Sequence, residues 1–118
     1  MRNFRKYDIW IDAMKVVDVV YKITDKFPTN ERYSLTSQIT QSAVSIPSNI
    51  AEGASRSSEK DFARFLEISL ESSFELETQL RIAIKRNYVA ISEFEVMLKN
   101  IISLQKRIHA LRKKILNN

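Results

Sequence analysis

Residues 91–115, ISEFEVMLKNIISLQKRIHALRKKI, decide the fold class. Their apolar residues recur at alternating steps of three and four over three heptads, which is the spacing of a helix packed as in a left-handed coiled coil. The members of this apolar seam are Phe94, Met97, Ile101, Leu104, Ile108, Leu111 and Ile115. Ser92 and Glu95 have the spacing of a capping box, so we expect this helix to cover about 92–115.

Three upstream segments repeat the same period, which predicts four helices. We expect them at about residues 8–27, 35–54, 58–86 and 92–115. Phe27 precedes Pro28 and is disfavoured in the helical region, which should end the first helix there. Ser58 and Asp61 resemble a capping box at the start of the third helix. Long helices joined by short loops predict that residues 1–118 form a single all-α domain, an up-down-up-down four-helix bundle.

The second segment contains Pro47 within its apolar period. A proline inside a helix removes one backbone hydrogen bond and costs about 3 kcal/mol unless the helix bends. Two short helices are the alternative, but the period keeps its phase through Pro47, so we expect one helix kinked near this residue. Gly53, the only glycine, marks either a left-handed helix end or a close approach of two backbones. Ser69, Ser72 and Ser73 are small enough to let a neighbouring helix approach the third one closely.

Composition excludes several kinds of chemistry. The chain has no cysteine, one glycine and one histidine in 118 residues. Thiol catalysis, cysteine zinc sites and glycine-rich phosphate loops are excluded, and a ferritin-like metal site with two Glu-x-x-His pairs cannot form within one subunit. A structural position is the simpler interpretation of His109 and of the carboxylates Glu67, Glu71 and Glu75. We therefore expect no catalytic residues, no metal, no cofactor and no enzymatic activity.

The start of the chain has no pattern of membrane insertion. Three of the first six residues are basic, but Asp12, Lys15 and Asp18 interrupt the apolar stretch that follows. A membrane-spanning helix needs about 20 predominantly apolar residues. Together with the lack of cysteine, this favours a cytoplasmic protein without membrane contact.

Positive charge is concentrated at the end of the chain, where residues 96–118 carry 6 basic and 0 acidic groups. Lys99, Lys106 and Lys113 recur every seven residues opposite the seam, so they form an acid-free stripe on the fourth helix. Cations in the last helical turn suit the helix dipole, but Lys99, Lys106 and Arg107 have no such structural reason. A stripe of this kind is typical of contacts with nucleic-acid phosphates, without base recognition. A solvated helix face is the alternative interpretation of the stripe, and a protein-interaction scaffold with no nucleic-acid ligand is the alternative function. We expect eight residues to bind RNA or DNA: Lys99, Lys106, Arg107, Lys113, Lys114, Arg56, Lys85 and Arg86.

The third and fourth helices carry more apolar residues than a monomeric bundle needs. A second apolar row lies about 100° around the fourth helix from its seam, and the third helix shows a similar excess. Scattered surface hydrophobes are the alternative. We favour a subunit interface, which a closed ring would bury completely. Its expected residues are Ile68, Phe74, Ile82, Leu98 and Ile102.

Residues 45–53, SIPSNIAEG, resemble the core signature of the four-helix-bundle proteins encoded by intervening sequences of bacterial 23S rRNA genes. This family is often labelled ribosomal and is related to the accessory variability determinant of diversity-generating retroelements. The likeness continues at residues 35–39, 60–62 and 75–80. It implies a left-handed bundle that assembles as a homopentamer, has a basic surface, binds nucleic acid and has no known catalysis. The implied partners are thus other copies of the chain and RNA or DNA of any sequence.

Two features near the signature modify this expectation. Thr40 and Gln41 stand where family members often carry arginine, which lowers the charge of the second helix. Asn49 matches the signature, and we interpret it as part of a structural polar cluster that bonds the loop before Ser58 or Glu77.

Overall fold

The chain forms four long α-helices within residues 2–117, the part described by this computed structural model. The helices are α1 (Asp8–Thr24), α2 (Leu35–Ala54), α3 (Glu59–Lys85) and α4 (Ile91–Leu116). Short 3₁₀ turns at Phe4–Lys6 and Thr29–Glu31 precede α1 and α2. Residues 2–117 contain no β-strand. The all-α class expected from the sequence is confirmed.

Each helix packs against two others, in the cyclic order α1, α2, α3, α4. Hydrogen bonds between α2 and α3 join Ser42 to Gln79 and Ser45 to Ser72, so residue numbers rise on one helix as they fall on the other. The polar contacts from α4 to α1 and to α3 follow the same antiparallel order. The left-handed twist of the bundle stays a prediction.

The predicted seams form the core. The seam of the fourth helix is buried except for the half-buried Leu111. The residues expected to form the seams of the first and third helices are all buried: Ile9, Ala13, Val16, Val20, Ile23 and Phe27, and Phe62, Leu66, Ser69, Ser73, Leu76, Leu80 and Ala83. Each large apolar side chain removed from water contributes about 1.5–3 kcal/mol. Because the buried seam residues are spread along each helix, the core runs along the whole bundle.

α1 is shorter than expected, because it ends at Thr24 and not at Phe27. The backbone amides of Lys26 and Phe27 bond the carbonyls three residues earlier, at 3.2 and 3.0 Å. This tightening gives partners to carbonyls that the helix end leaves free. Phe27 is nevertheless buried, and it packs on the core from the turn before Pro28.

The capping box expected at Ser92 is wrong. α4 begins at Ile91, and Ala90 takes the N-cap position without a side-chain hydrogen bond. Ser92 therefore lies inside the first helical turn, where its hydroxyl is not in position to cap the helix. At α3 the expected cap is confirmed, because Ser58 Oγ accepts a bond from the Asp61 amide at 3.0 Å.

α2 continues through Pro47 as one helix, so the alternative of two short helices is wrong. The bend near Pro47 stays a prediction. Two of the three small serines of α3 contact α2, which is the close neighbour: Ser69 Oγ donates to the buried Ile46 carbonyl at 2.9 Å, and Ser72 Oγ lies 2.7 Å from Ser45 Oγ.

Gly53 marks a close approach of α2 to α3. It lies inside α2, and no glycine in residues 2–117 has a positive φ, so the left-handed alternative is wrong. A Cβ atom at Gly53 would lie 2.5 Å from the Cβ of Phe65 and 3.3 Å from the Phe62 carbonyl oxygen. Neither is the far end of a flexible side chain, so the two helices would have to move apart.

We expect Gly53→Ala to destabilise the protein. Overpacking costs about 1–3 kcal/mol, which exceeds the gain of up to about 1 kcal/mol from replacing a helical glycine. Urea unfolding measures the difference, and Ala110→Gly at an exposed position of α4 isolates the helix-propensity term. A Gly53→Ala protein more stable than the wild type would contradict the close contact.

Glu31 ties two loops together at one end of the bundle. Ser34 Oγ donates to Glu31 Oε1 at 2.7 Å, and Tyr88 Oη donates to Glu31 Oε2 at 2.9 Å. These hydrogen bonds, that of Ser34 more than that of Tyr88, lower the pKa of the Glu31 carboxyl. The Tyr88 ring also packs on Phe27, with ring centroids 5.4 Å apart.

This contact should make stability depend on pH in the acidic range. Because folding lowers the pKa of Glu31 below its ordinary value of 4.5, its contribution is present above that pH and is lost as the pH falls through the folded-state pKa. Glu31→Gln should therefore flatten the fall in thermal stability below about pH 4.5 relative to the wild type. Glu95→Gln, at an exposed position of α4, is the control. Parallel pH profiles for wild type and Glu31→Gln would contradict this role.

Candidate nucleic-acid interface

The outer face of α4 presents Lys99, Lys106 and Lys113 to solvent. Successive lysines are about 10 Å apart along the helix, because each heptad rises about 1.5 Å per residue. None of the three makes an ion pair within residues 2–117. Ile102 and Ser103 line a shallow groove together with Lys99, Lys106 and Arg107. The helix seam thus places three uncompensated cations in one exposed row, which we call the lysine row.

Arg107, expected in an acid-free stripe, is paired with an acid from another helix. Its Nη1 atom lies 2.8 Å from Asp12 Oδ2 of α1, and the two side chains are 34% and 39% exposed. Its Nε donates to the Ser103 carbonyl at 3.4 Å. The expectation that Arg107 lacks a structural reason is therefore wrong, since it ties α4 to α1.

Arg112, on the other flank of the lysine row, is also paired. Its Nη2 atom lies 3.2 Å from Glu67 Oε2 of α3, and its buried Nε has no hydrogen-bond partner. Acidic residues from both neighbouring helices thus reach the flanks of α4. The basic residues of α4 without an acidic partner in residues 2–117 are therefore the lysine row and Lys114, which is exposed in the last turn.

The eight predicted binding residues do not form one patch. Arg56 lies in the turn between α2 and α3, with its guanidinium 4.7 Å from the centre of the Phe65 ring. Lys85 is the last residue of α3, and Arg86 follows it. Because α3 has 27 residues, about 40 Å separate Arg56 from Lys85 and Arg86. Lys99, Lys106 and Arg107 lie together in one groove. Arg56 lies near one end of the bundle, and Lys85 and Arg86 lie near the other.

Arg86 has a local structural environment as well. Tyr88 and, more weakly, Glu31 raise the pKa of the Arg86 guanidinium. Arg86 therefore lies close to the loop contact formed by Tyr88 and Glu31.

Two basic residues near Arg107 were missed by sequence reasoning. Lys15 and Arg107 both line a cleft between α1 and α4, and Lys6 and Arg107 both line a hollow beside the start of α1. The basic start of the chain was the only available signal, because periodicity within one helix does not show which residues of another helix face it.

The predicted interface residues are partly exposed. Phe74 and Ile82 are 51% and 46% exposed, whereas Ile68, Leu98 and Ile102 are half-buried. Further large apolar side chains are exposed on α1 and α2, to which the sequence analysis assigned no interface. They are Ile11, Met14, Val19, Tyr21 and Val44. The apolar excess is thus not confined to α3 and α4.

The partners expected for Asn49 are wrong. Its amide donates to the carbonyl and hydroxyl oxygens of Ser45, at 2.8 and 2.9 Å, and not to Glu77. Ser45 lies one turn earlier on the same helix and continues the network to Ser72 of α3. Glu77 instead accepts from Gln105 of α4 at 3.0 Å. The polar cluster thus joins α2 to α3 and is local to the signature.

Residues 2–117 bring together no group of three or more side chains suited to holding a metal ion. None of the helices described is both long enough and apolar enough to cross a membrane.

The structure is thus that of an all-α four-helix bundle with a row of exposed lysines on α4. The family model of the 23S rRNA-intervening sequence protein matches residues 5–110. The chain therefore belongs to the 23S rRNA-intervening sequence protein family, and the resemblance at residues 45–53 is confirmed.

A solved structure supports the fold assignment independently. It is the crystal structure of a protein with unknown function from the S23 ribosomal protein family of Bacteroides thetaiotaomicron VPI-5482. The two structures superpose with a TM-score of 0.81 at 24% sequence identity, covering 89% of this chain and 98% of the other. At this identity the likeness shows a common fold alone. No curated protein matches the chain.

Proposed function

We propose that this protein is a non-enzymatic, cytoplasmic accessory protein that binds RNA or DNA through phosphates and acts as a homo-oligomer. The observation that carries the proposal is the lysine row of Lys99, Lys106 and Lys113, exposed and without ion pairs in residues 2–117. Lysine ammonium groups act toward phosphate as point charges. Binding of this kind is independent of sequence, because phosphate contacts carry no base information.

Self-assembly would strengthen such binding. A single lysine row offers few phosphate contacts, whereas an oligomer repeats the row in each subunit and raises the local field. The exposed apolar residues Phe74 and Ile82 supply surface for association. We expect a homopentamer, as the family resemblance implies.

A protein-interaction scaffold is the second candidate, and a specific observation favours it. Apolar side chains are exposed on all four helices, including Val44 on α2 and Val96 on α4, at 39% and 66%. These two residues lie outside the predicted subunit interface, so neither phosphate binding nor the proposed self-association requires them. The two candidates differ in their dependence on salt, because phosphate binding releases counterions and apolar docking does not.

Neutralising the lysine row tests the proposal. We expect the triple variant Lys99→Gln, Lys106→Gln and Lys113→Gln to weaken binding to RNA and DNA of every sequence alike. The plot of log K against log salt should become shallower by about 0.9 per lost phosphate contact on duplex DNA and by about 0.7 on single strands. Fluorescence anisotropy over a salt series measures both effects.

A matched control carries the same change in net charge. The triple variant Lys22→Gln, Arg32→Gln and Lys60→Gln alters exposed cations away from the lysine row. It should retain most of the affinity. If the two triple variants lose the same affinity, binding depends on net charge alone and not on the lysine row. If the wild type shows no salt-dependent binding, the scaffold candidate is favoured.

Charge placed in the predicted interface should dissociate the oligomer. We expect Ile82→Glu and Ile102→Glu to lower the mass measured by light scattering toward the 13.8 kDa of one chain, with helical circular dichroism retained. Ile11→Glu is the matched control, since Ile11 and Ile82 are 40% and 46% exposed. A wild-type protein that is already monomeric at micromolar concentration would overturn the oligomer proposal.

A further inference from the structure

Arg107 stands where three surface depressions meet. One is the groove of the lysine row, shared with Lys99 and Lys106. The second is a cleft of about 510 Å³ between α1 and α4, which Lys15 also lines. The third is the hollow beside Lys6 at the start of α1. Each depression thus supplies at least one further cation, and Arg107 is shared by all of them.

The Asp12 carboxylate now occupies one side of the Arg107 guanidinium, at 2.8 Å. Carboxylate and phosphate present guanidinium with similar acceptors, a pair of oxygens that share negative charge. The Nη1 atom of Arg107 bonds Asp12, and its Nε atom bonds the Ser103 carbonyl. A phosphate oxygen that approached Nη1 would therefore compete with the Asp12 carboxylate for this donor.

Asp12 also has a second partner available. Lys15 lies one turn along α1, and its Nζ is 3.8 Å from Asp12 Oδ1, the oxygen that Arg107 does not contact. Release of Arg107 would thus leave Asp12 paired rather than isolated. The buried seams of α1 and α4 would still pack together, and Lys26, in the turn after α1, would still lie 3.6 Å from Glu93 Oε1. The exchange would therefore require neither an unpaired carboxylate nor separation of the helices.

We propose that Asp12 is an intramolecular competitor of nucleic-acid phosphate at Arg107, and that binding exchanges the Asp12 carboxylate for a phosphodiester group. This inference rests on the proposed function, and it identifies how the same site is regulated. In the free protein Arg107 is held by Asp12 of α1, whereas the lysine row and Lys114 are available to the ligand. On binding, Arg107 turns to the phosphate and Asp12 turns to Lys15.

Asp12→Asn tests the exchange, because it removes the competing charge without changing the size of the side chain. We expect the affinity for a single-stranded RNA 20-mer to rise about threefold to tenfold, because Arg107 Nη1 no longer bonds a carboxylate and is available to a phosphate. The salt plot should steepen by about 0.7, the slope of one added phosphate contact. Anisotropy titrations at several salt concentrations measure both quantities, and thermal melting verifies that each variant is folded.

Asp18→Asn is the matched control. Asp18 lies on the same helix, pairs with Lys22 at 3.3 Å and changes net charge equally when replaced. Its effect on affinity should be smaller than that of Asp12→Asn. Equal gains from the two substitutions would overturn the inference and leave net charge as the explanation.

The Arg107→Gln background separates exchange from local repulsion. There, Asp12→Asn should give no gain, because the donor that it frees is missing. A gain that persists in this background would also overturn the inference. If neither the wild type nor Asp12→Asn binds RNA, the proposed function fails and the inference fails with it, whereas a wild type that binds through the lysine row but is indifferent to Asp12→Asn contradicts the inference alone.

Discussion

α2 and α3 lie close together because small residues occupy their contact. Gly53 leaves no room for a Cβ beside Phe65, and Ser69 reaches the Ile46 carbonyl directly. α4 is positioned on α3 in turn, where the Gln105 amide bonds Glu77. The rotation of α4 decides which of its residues face solvent. The exposure of the lysine row thus depends on how the buried seam of α4 packs on its neighbours, and one of these neighbours, α3, is itself held against α2.

The number, class and core faces of the helices could be predicted because they depend on the period of one segment at a time. Phe62, Leu66 and Leu76 are buried where the period places them. Helix ends were less predictable, since they depend on competing local bonds. Ser92 has the spacing of a cap, yet Ala90 occupies that position because the helix starts earlier. The tight carbonyl bonds before Phe27 likewise leave no sign in the apolar pattern.

The candidate site was predictable only where one helix defines it. Lys99, Lys106 and Lys113 share a face by spacing alone, and they are exposed. The pairing of Arg107 with Asp12 depends on the register between α1 and α4, which lie far apart in sequence. A segment without acidic residues is therefore not the same as a surface without acidic residues. The neighbouring helices supply the carboxylates that the segment lacks.

The antiparallel arrangement brings the start of α1 and the end of α4 to the same end of the bundle, as the hollow shared by Lys6 and Leu111 shows. Arg2 also lies there, bonded at 2.6 Å to the carbonyl of Arg56. Arg2 is paired with Glu59 as well, whereas Lys113 and Lys114 make no ion pair within residues 2–117. This end of the bundle joins residues that are separated by nearly the whole sequence. Its packing can therefore form only after the last helix has been synthesised and has reached α1.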